Sequence, residues 1–182
     1  MKGILFSLLI LITFTACDEG NLTLDNPRPE SVTFSIDGQS HRVDANSRTS
    51  ISVEGGKHSV KISLTNGEDL GESEFEVKEG GVLHSGGSTY IIWRQLYGLQ
   101  GNRKDLLNEE WLKLDSLKVF GDFKVFPEDF YYIEKTWDHN LQDPFPESQS
   151  LYITSDFVIE SKIFREQELV DTYRDLSERR SD

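Results

Sequence analysis

The chain has 182 residues, with 32 acidic against 19 basic side chains and a formal net charge of -13. That length suits one ordinary domain or two small ones. So acidic a chain is repelled by nucleic acid and by anionic lipid headgroups, which excludes a nucleic-acid partner and a basic membrane-binding face. The aromatic content of 11%, with eleven Phe, is enough to build a core.

The first seventeen residues carry one positive charge, Lys2, then an uncharged apolar run from Ile4 to Phe14, then Thr15 and Ala16 before Cys17. This is the layout of a cleavable export signal, and the run is shorter than the roughly 20 residues a membrane-spanning helix needs. The stretch Phe14-Thr15-Ala16-Cys17 resembles the lipobox of bacterial lipoproteins, with Phe14 departing from the usual aliphatic residue. The resemblance implies removal of residues 1–16 and acylation of Cys17, the sole cysteine. It also implies a membrane partner reached through that anchor. Losing Lys2 takes the net charge from -13 to -14. With Cys17 acylated no thiol remains, so a disulfide, a cysteine-ligated zinc and a cysteine nucleophile are all excluded.

Residues 17–30 read as a lipidated flexible tether, because they are polar and contain Pro27 and Pro29. Asp18-Glu19 resembles acidic sorting signals that send lipoproteins to the cell surface in some Gram-negative groups, whereas in other groups an Asp at this place retains the protein in the inner membrane, so the pair itself does not choose between them. The expected location is the cell envelope, with the outer membrane, on its periplasmic face or at the cell surface, ahead of the inner membrane.

Residues 31–98 alternate with period two and predict a small antiparallel β-sandwich. Val32, Phe34 and Ile36 precede an Asp37-Gly38 turn, and Val43 lies on the return strand. Ile51 and Val53 run into Glu54-Gly55-Gly56-Lys57. Val60, Ile62 and Leu64 run to Asn66-Gly67, and Phe75 and Val77 to Gly80-Gly81. Tyr90-Ile91-Ile92-Trp93 is uninterrupted, as in a strand covered on both faces. The piece from Ile51 to Ile62 resembles the central hairpin of PEGA-type and carboxypeptidase-regulatory-like sandwich modules, although Glu54-Gly55 stands where their Pro-Gly turn would be. That resemblance implies a sandwich of the kind found in envelope and binding proteins, without catalytic residues of its own.

Residues 99–182 predict a second β-rich part with a C-terminal α-helix, so the fold class is mostly β. Arg103 to Leu112 can form a helix capped by Asn102, while Trp111 to Leu114 also alternates as a strand. Leu117–Phe120 and Phe123–Phe126 flank Gly121-Asp122 and predict a tight hairpin. Tyr131–Lys135 is a strand, Trp137–Pro146 a proline-fixed loop, and Leu151–Thr154 and Phe157–Phe164 the last strands. Leu169, Val170, Tyr173 and Leu176 fall at helical spacing and predict a helix over Arg165–Leu176, with fraying beyond.

Sites are sparse. Gly80-Gly81 and Gly86-Gly87 lack the lysine and following helix of a phosphate loop and read as turns. His41, His58, His84 and His139 show no metal-pair spacing, and no Gly-x-Ser-x-Gly elbow accompanies the serines. Asp138, Asn140 and Asp143 come nearest to a calcium loop but lack its spacing. No catalytic residue, metal or cofactor is assigned. Aromatics crowd Phe126–Phe145, and Trp137, His139 and Phe145 form the candidate binding surface, because loop aromatics stack on sugars or anchor peptides.

The reading is a lipid-anchored cell-envelope protein acting as a non-enzymatic binding or assembly module for an envelope protein or a glycan. One alternative is a surface enzyme that uses carboxylates on glycan or peptide. The other is an inhibitor or immunity-type lipoprotein matched by charge to a cationic enzyme.

Overall fold

The computed structural model describes residues 19–98, 106–114, 117–144 and 157–179. Among the described residues, twelve strands and one helix form three four-stranded sheets and a covering helix, a mostly β fold. The first sheet orders β4(Ser47–Glu54), β1(Glu19–Asn26), β7(Gly80–His84) and β11(Tyr132–Glu134) side by side. β1 runs antiparallel to β4 and parallel to β7. The second sheet is antiparallel, in the order β3(Gln39–Val43), β2(Val32–Ile36), β5(Gly56–Leu64), β6(Asp69–Val77). The third orders β12(Phe157–Arg165), β8(Tyr90–Gly98), β10(Leu117–Phe126) and β9(Glu110–Leu114), followed by α1(Glu166–Arg179).

Three cores stack these layers. Leu22, Leu24 and Leu83 of the first sheet meet Phe34, Val60, Ile62 and Phe75 of the second. Val82 and Ile133, on the opposite face of the first sheet, meet Tyr90, Ile92, Phe126 and Ile163 of the third. Ile91, Trp93 and Phe164 then pack under Leu169 and Val170 of α1. β7 and the first half of β8 are buried on both faces, which is why Tyr90–Trp93 reads as an unbroken apolar run.

The structure corrects the boundaries. Residues 19–26 are no tether but a central strand, with Leu22 and Leu24 fully buried. Two leucines alternating with polar residues suffice for a strand, and Pro27 and Pro29 end it, as residues without an N–H to donate do. The sandwich is not confined to 31–98 either. It takes β1 before and β11 after, and gives β8 to the third sheet, so it is not a self-contained module.

Gly121-Asp122 is not a hairpin turn. β10 continues through it, pairing with β9 over Leu117–Gly121 and with β8 over Asp122–Phe126. A Cβ on Gly121 would fall 2.9 Å from the Phe123 ring and 3.0 Å from the Trp93 indole nitrogen, so the glycine serves close packing. Residues 110–114 take the strand alternative, not the helix. Gly80-Gly81 opens β7 instead of ending a strand, whereas Gly86 and Gly87, with φ of 74° and 83°, do turn the chain. The helix predicted over 165–176 is present as α1. The strand expected over Leu151–Thr154 lies outside the described residues.

Candidate functional site

The first and third sheets are locked together by buried charge. Asp25 on β1 is fully buried and points away from the Leu22 and Leu24 face, toward β8 and β12. It accepts two hydrogen bonds from Arg165, from Nε at 2.8 Å and Nη2 at 2.7 Å. Tyr90 Oη donates to the same carboxylate, and Arg48 Nε lies 3.3 Å away. Arg48 in turn pairs with Glu168 on α1. Burial, with the Asp25 charge beside it, pushes the Tyr90 hydroxyl well above its ordinary pKa, so it stays a donor.

Beside this lock His84 is also fully buried, its ring 4.2 Å from that of Tyr90. Nδ1 accepts from the Gly86 N–H at 3.1 Å, so Nε2 carries the proton and donates to the Phe130 carbonyl at 2.6 Å. Burial lowers its pKa to about 4 and keeps the ring neutral. Asp25, Tyr90 and Arg165 thus bond one another, and both ring nitrogens of His84 are taken by the backbone. The arrangement holds two sheets in register and presents no group to a substrate.

A second cluster joins Asp37, His58 and Ser59. Ser59 donates to Asp37 from N–H at 2.9 Å and Oγ at 3.1 Å. His58 Nδ1 lies 2.7 Å from Asp37 and its Nε2 2.8 Å from the Glu54 carbonyl. Partial burial opposes charge on His58, but two acceptors outweigh it and raise the pKa. The carboxylate sits between serine and histidine, and the far imidazole nitrogen is taken by a carbonyl. A nucleophile–base pair needs the serine hydroxyl on the imidazole, and here it is on the acid.

Among the sequence candidates, Trp137 is 4% exposed, packs in the core with Ile133 and Leu141, and donates from Nε1 to Asn140. It is therefore no part of an open surface, since the indole fills the space between the first and third sheets. His139 is partly exposed and pairs with Glu160 at 3.0 Å. Phe145 lies outside the described residues.

The loop runs along β12 and covers its outer edge, through bonds from Asp138 and His139 N–H to the Ser161 carbonyl. Asp138 accepts from Ser161, Asp143 from the Asn140 N–H, and the buried Lys162 ammonium donates to the carbonyls of Asn140 and Leu141. Burial lowers the Lys162 pKa to about 8. A lysine thus stands where these loop carbonyls converge. Among the described residues no group of three or more His, Cys, Asp or Glu is placed to hold a metal.

One feature of the third sheet is open. Trp111 of β9 is 68% exposed, and its register partner Phe120 of β10 is half-exposed, with ring centroids 5.3 Å apart. Phe120 also borders a groove of about 440 Å³ that Trp93, Arg94, Leu96, Glu109 and Tyr173 line. β8 and β10 pair only as far as Arg94 and Asp122, and the groove includes the residues just past that point on both strands. Sequence reasoning missed this pair because it placed Trp111 on a helix face and Phe120 beside a turn. Strand alternation across a 110–114/117–121 hairpin is the signal that would have found them.

No family model matches the chain, and neither a curated protein nor a solved structure matches it.

Proposed function

We propose that the chain is a lipid-anchored protein of the bacterial cell envelope, most consistent with an outer-membrane location, whose β-rich body is a non-enzymatic binding or assembly module. The supporting observation is a contrast within the described residues. The clustered ionisable groups are closed on one another, while the Trp111–Phe120 pair and the adjoining groove stand open. Tryptophan, tyrosine and arginine are the side chains that dominate protein interfaces, and exposed aromatic rings also stack on sugars, so the concave surface suits an envelope protein or a glycan. The anchoring half of the reading rests on the pattern Lys2–Cys17. An anchor confines the module near its partner and raises the effective concentration.

The test is photo-cross-linking in cells, with a benzophenone amino acid at Lys118, which is exposed and lies two residues from Phe120 on the same face of β10. A single adduct that vanishes in Phe120→Ser and in Cys17→Ser protein supports the proposal. An adduct indifferent to both substitutions, or turnover of glycan or peptide by the purified chain, overturns it.

A further inference from the structure

With Cys17 as the anchor, the domain sits close to its lipid, because β1 starts at Glu19. Cys17 is two residues away, and consecutive Cα atoms are 3.8 Å apart, so the two Cα atoms lie within about 7.6 Å in any conformation. The start of β1 is held by its two strand neighbours and by the end of β6. Glu19 faces Glu54 of β4, and Asn21 faces Gly80 of β7, which in turn has β11 alongside through Gly81 and Glu134. A Cβ on Gly20 would lie 2.5 Å from Val77 Cγ1, so β1 enters hard against the end of β6.

That end of the sandwich is a ring of turns. It comprises the β4–β5 hairpin through Gly55, the Lys78-Glu79 turn between β6 and β7, and the end of β11 at Glu134-Lys135. The opposite end carries the β5–β6 turn at Thr65–Gly67. β5 spans nine residues between the two, about 30 Å.

We infer that the ring of turns around Glu19 is apposed to the phospholipid headgroups of the bilayer that holds the anchor, so that the acylated cysteine is a fixed foot and not a leash. This rests on the anchoring reading above. Charge does not drive it, since the rim sets Lys57, Lys78 and Lys135 against Glu19, Glu54, Glu76, Glu79 and Glu134, with Lys78 and Glu134 paired at 3.1 Å. Chain length alone holds it there, and the apposition is therefore insensitive to salt.

The experiment uses the protein purified from membranes and reconstituted in phosphatidylcholine vesicles. Intact mass comes first and decides acylation separately. With Cys17 blocked by lipid, single cysteines at Lys57→Cys, Glu79→Cys and Thr65→Cys take a fluorophore, and a headgroup-nitroxide lipid supplies the quencher. Quenching several-fold stronger at 57 and 79 than at 65, unchanged in high salt, is the expected result. Inserting about ten Gly/Ser residues before Glu19, worth about 17 Å of reach, should erase the difference. Equal quenching at all three sites without the insertion overturns the inference while leaving anchoring intact. A mass without acyl chains overturns the anchoring reading, and linking Cys17 to a maleimide lipid then decides the geometry by the same quenching comparison.

Discussion

Replacing Asp25 by leucine strips the one carboxylate shared by Arg165, Tyr90 and Arg48. Breaking a buried pair by removing one partner costs about 3–5 kcal/mol, because a charge is left buried without compensation. The stranded Tyr90 hydroxyl adds about 1–3 kcal/mol. Two features reduce the total: Arg48 keeps Glu168, and its side chain is 23% exposed to water. A net loss of about 4 kcal/mol is expected, large against the roughly 5–15 kcal/mol that stabilises an ordinary domain. In a chain of this size it lowers Tm by about 8–16 °C.

Urea titration followed by circular dichroism and by tryptophan fluorescence measures the loss. The second arm is Asp25→Leu with Arg165→Met, which removes both sides of the strongest pair. Because apolar replacement of a whole buried pair is often neutral, the double variant should regain at least about 1 kcal/mol over the single one. A single-variant loss below about 1 kcal/mol, or a double variant no more stable than Asp25→Leu, refutes the view that this lock is held by buried charge.

His84 has a folded-state pKa of about 4 against 6.5 unfolded. Between those values the unfolded chain takes up a proton that the folded chain refuses. The His84 contribution is therefore full above pH 6.5 and is lost as pH falls toward 4, by up to about 3 kcal/mol. His84→Gln should be less stable at neutral pH yet lose less between pH values of about 7 and 4.5. An undiminished acid slope in urea titrations counts against this account. Gly80→Ala places a Cβ 2.3 Å from the Asn21 carbonyl at φ +121°, where β7 joins β1. Thermal unfolding should show a loss above about 2 kcal/mol, and a loss within about 0.5 kcal/mol would contradict the packing described.

Alternation made most strands readable. Val32-x-Phe34-x-Ile36 and Val60-x-Ile62 each lie where their period two predicts, as does α1 by its helical spacing. What escaped was decided by distant partners. β1 looked like a linker because its apolar content is two leucines, and its place as a central strand depends on β4 and β7. Gly121 reads as a turn unless one knows that Trp93 and Phe123 crowd its α-carbon. Asp25 and Arg165 are 140 positions apart, and no local pattern links them. Trp137 shows the converse error: an aromatic in a proline-rich loop suggests recognition, yet the loop folds back along β12 and buries the ring.

β1 also sets the order in which the chain can fold. It emerges first, but its neighbour β7 ends at His84, that sheet closes only with β11 at Glu134, and the partner of Asp25 arrives at Arg165. Contacts of such span are slow to form, because the intervening loop must close before they contribute. β4 can pair with β1 as soon as Glu54 has emerged, but the Asp25 side of β1 waits for Arg165. Under the proposed anchoring, the buried-charge junction that the C-terminal strand and helix complete therefore forms last, beside a strand whose lipid is already in the bilayer.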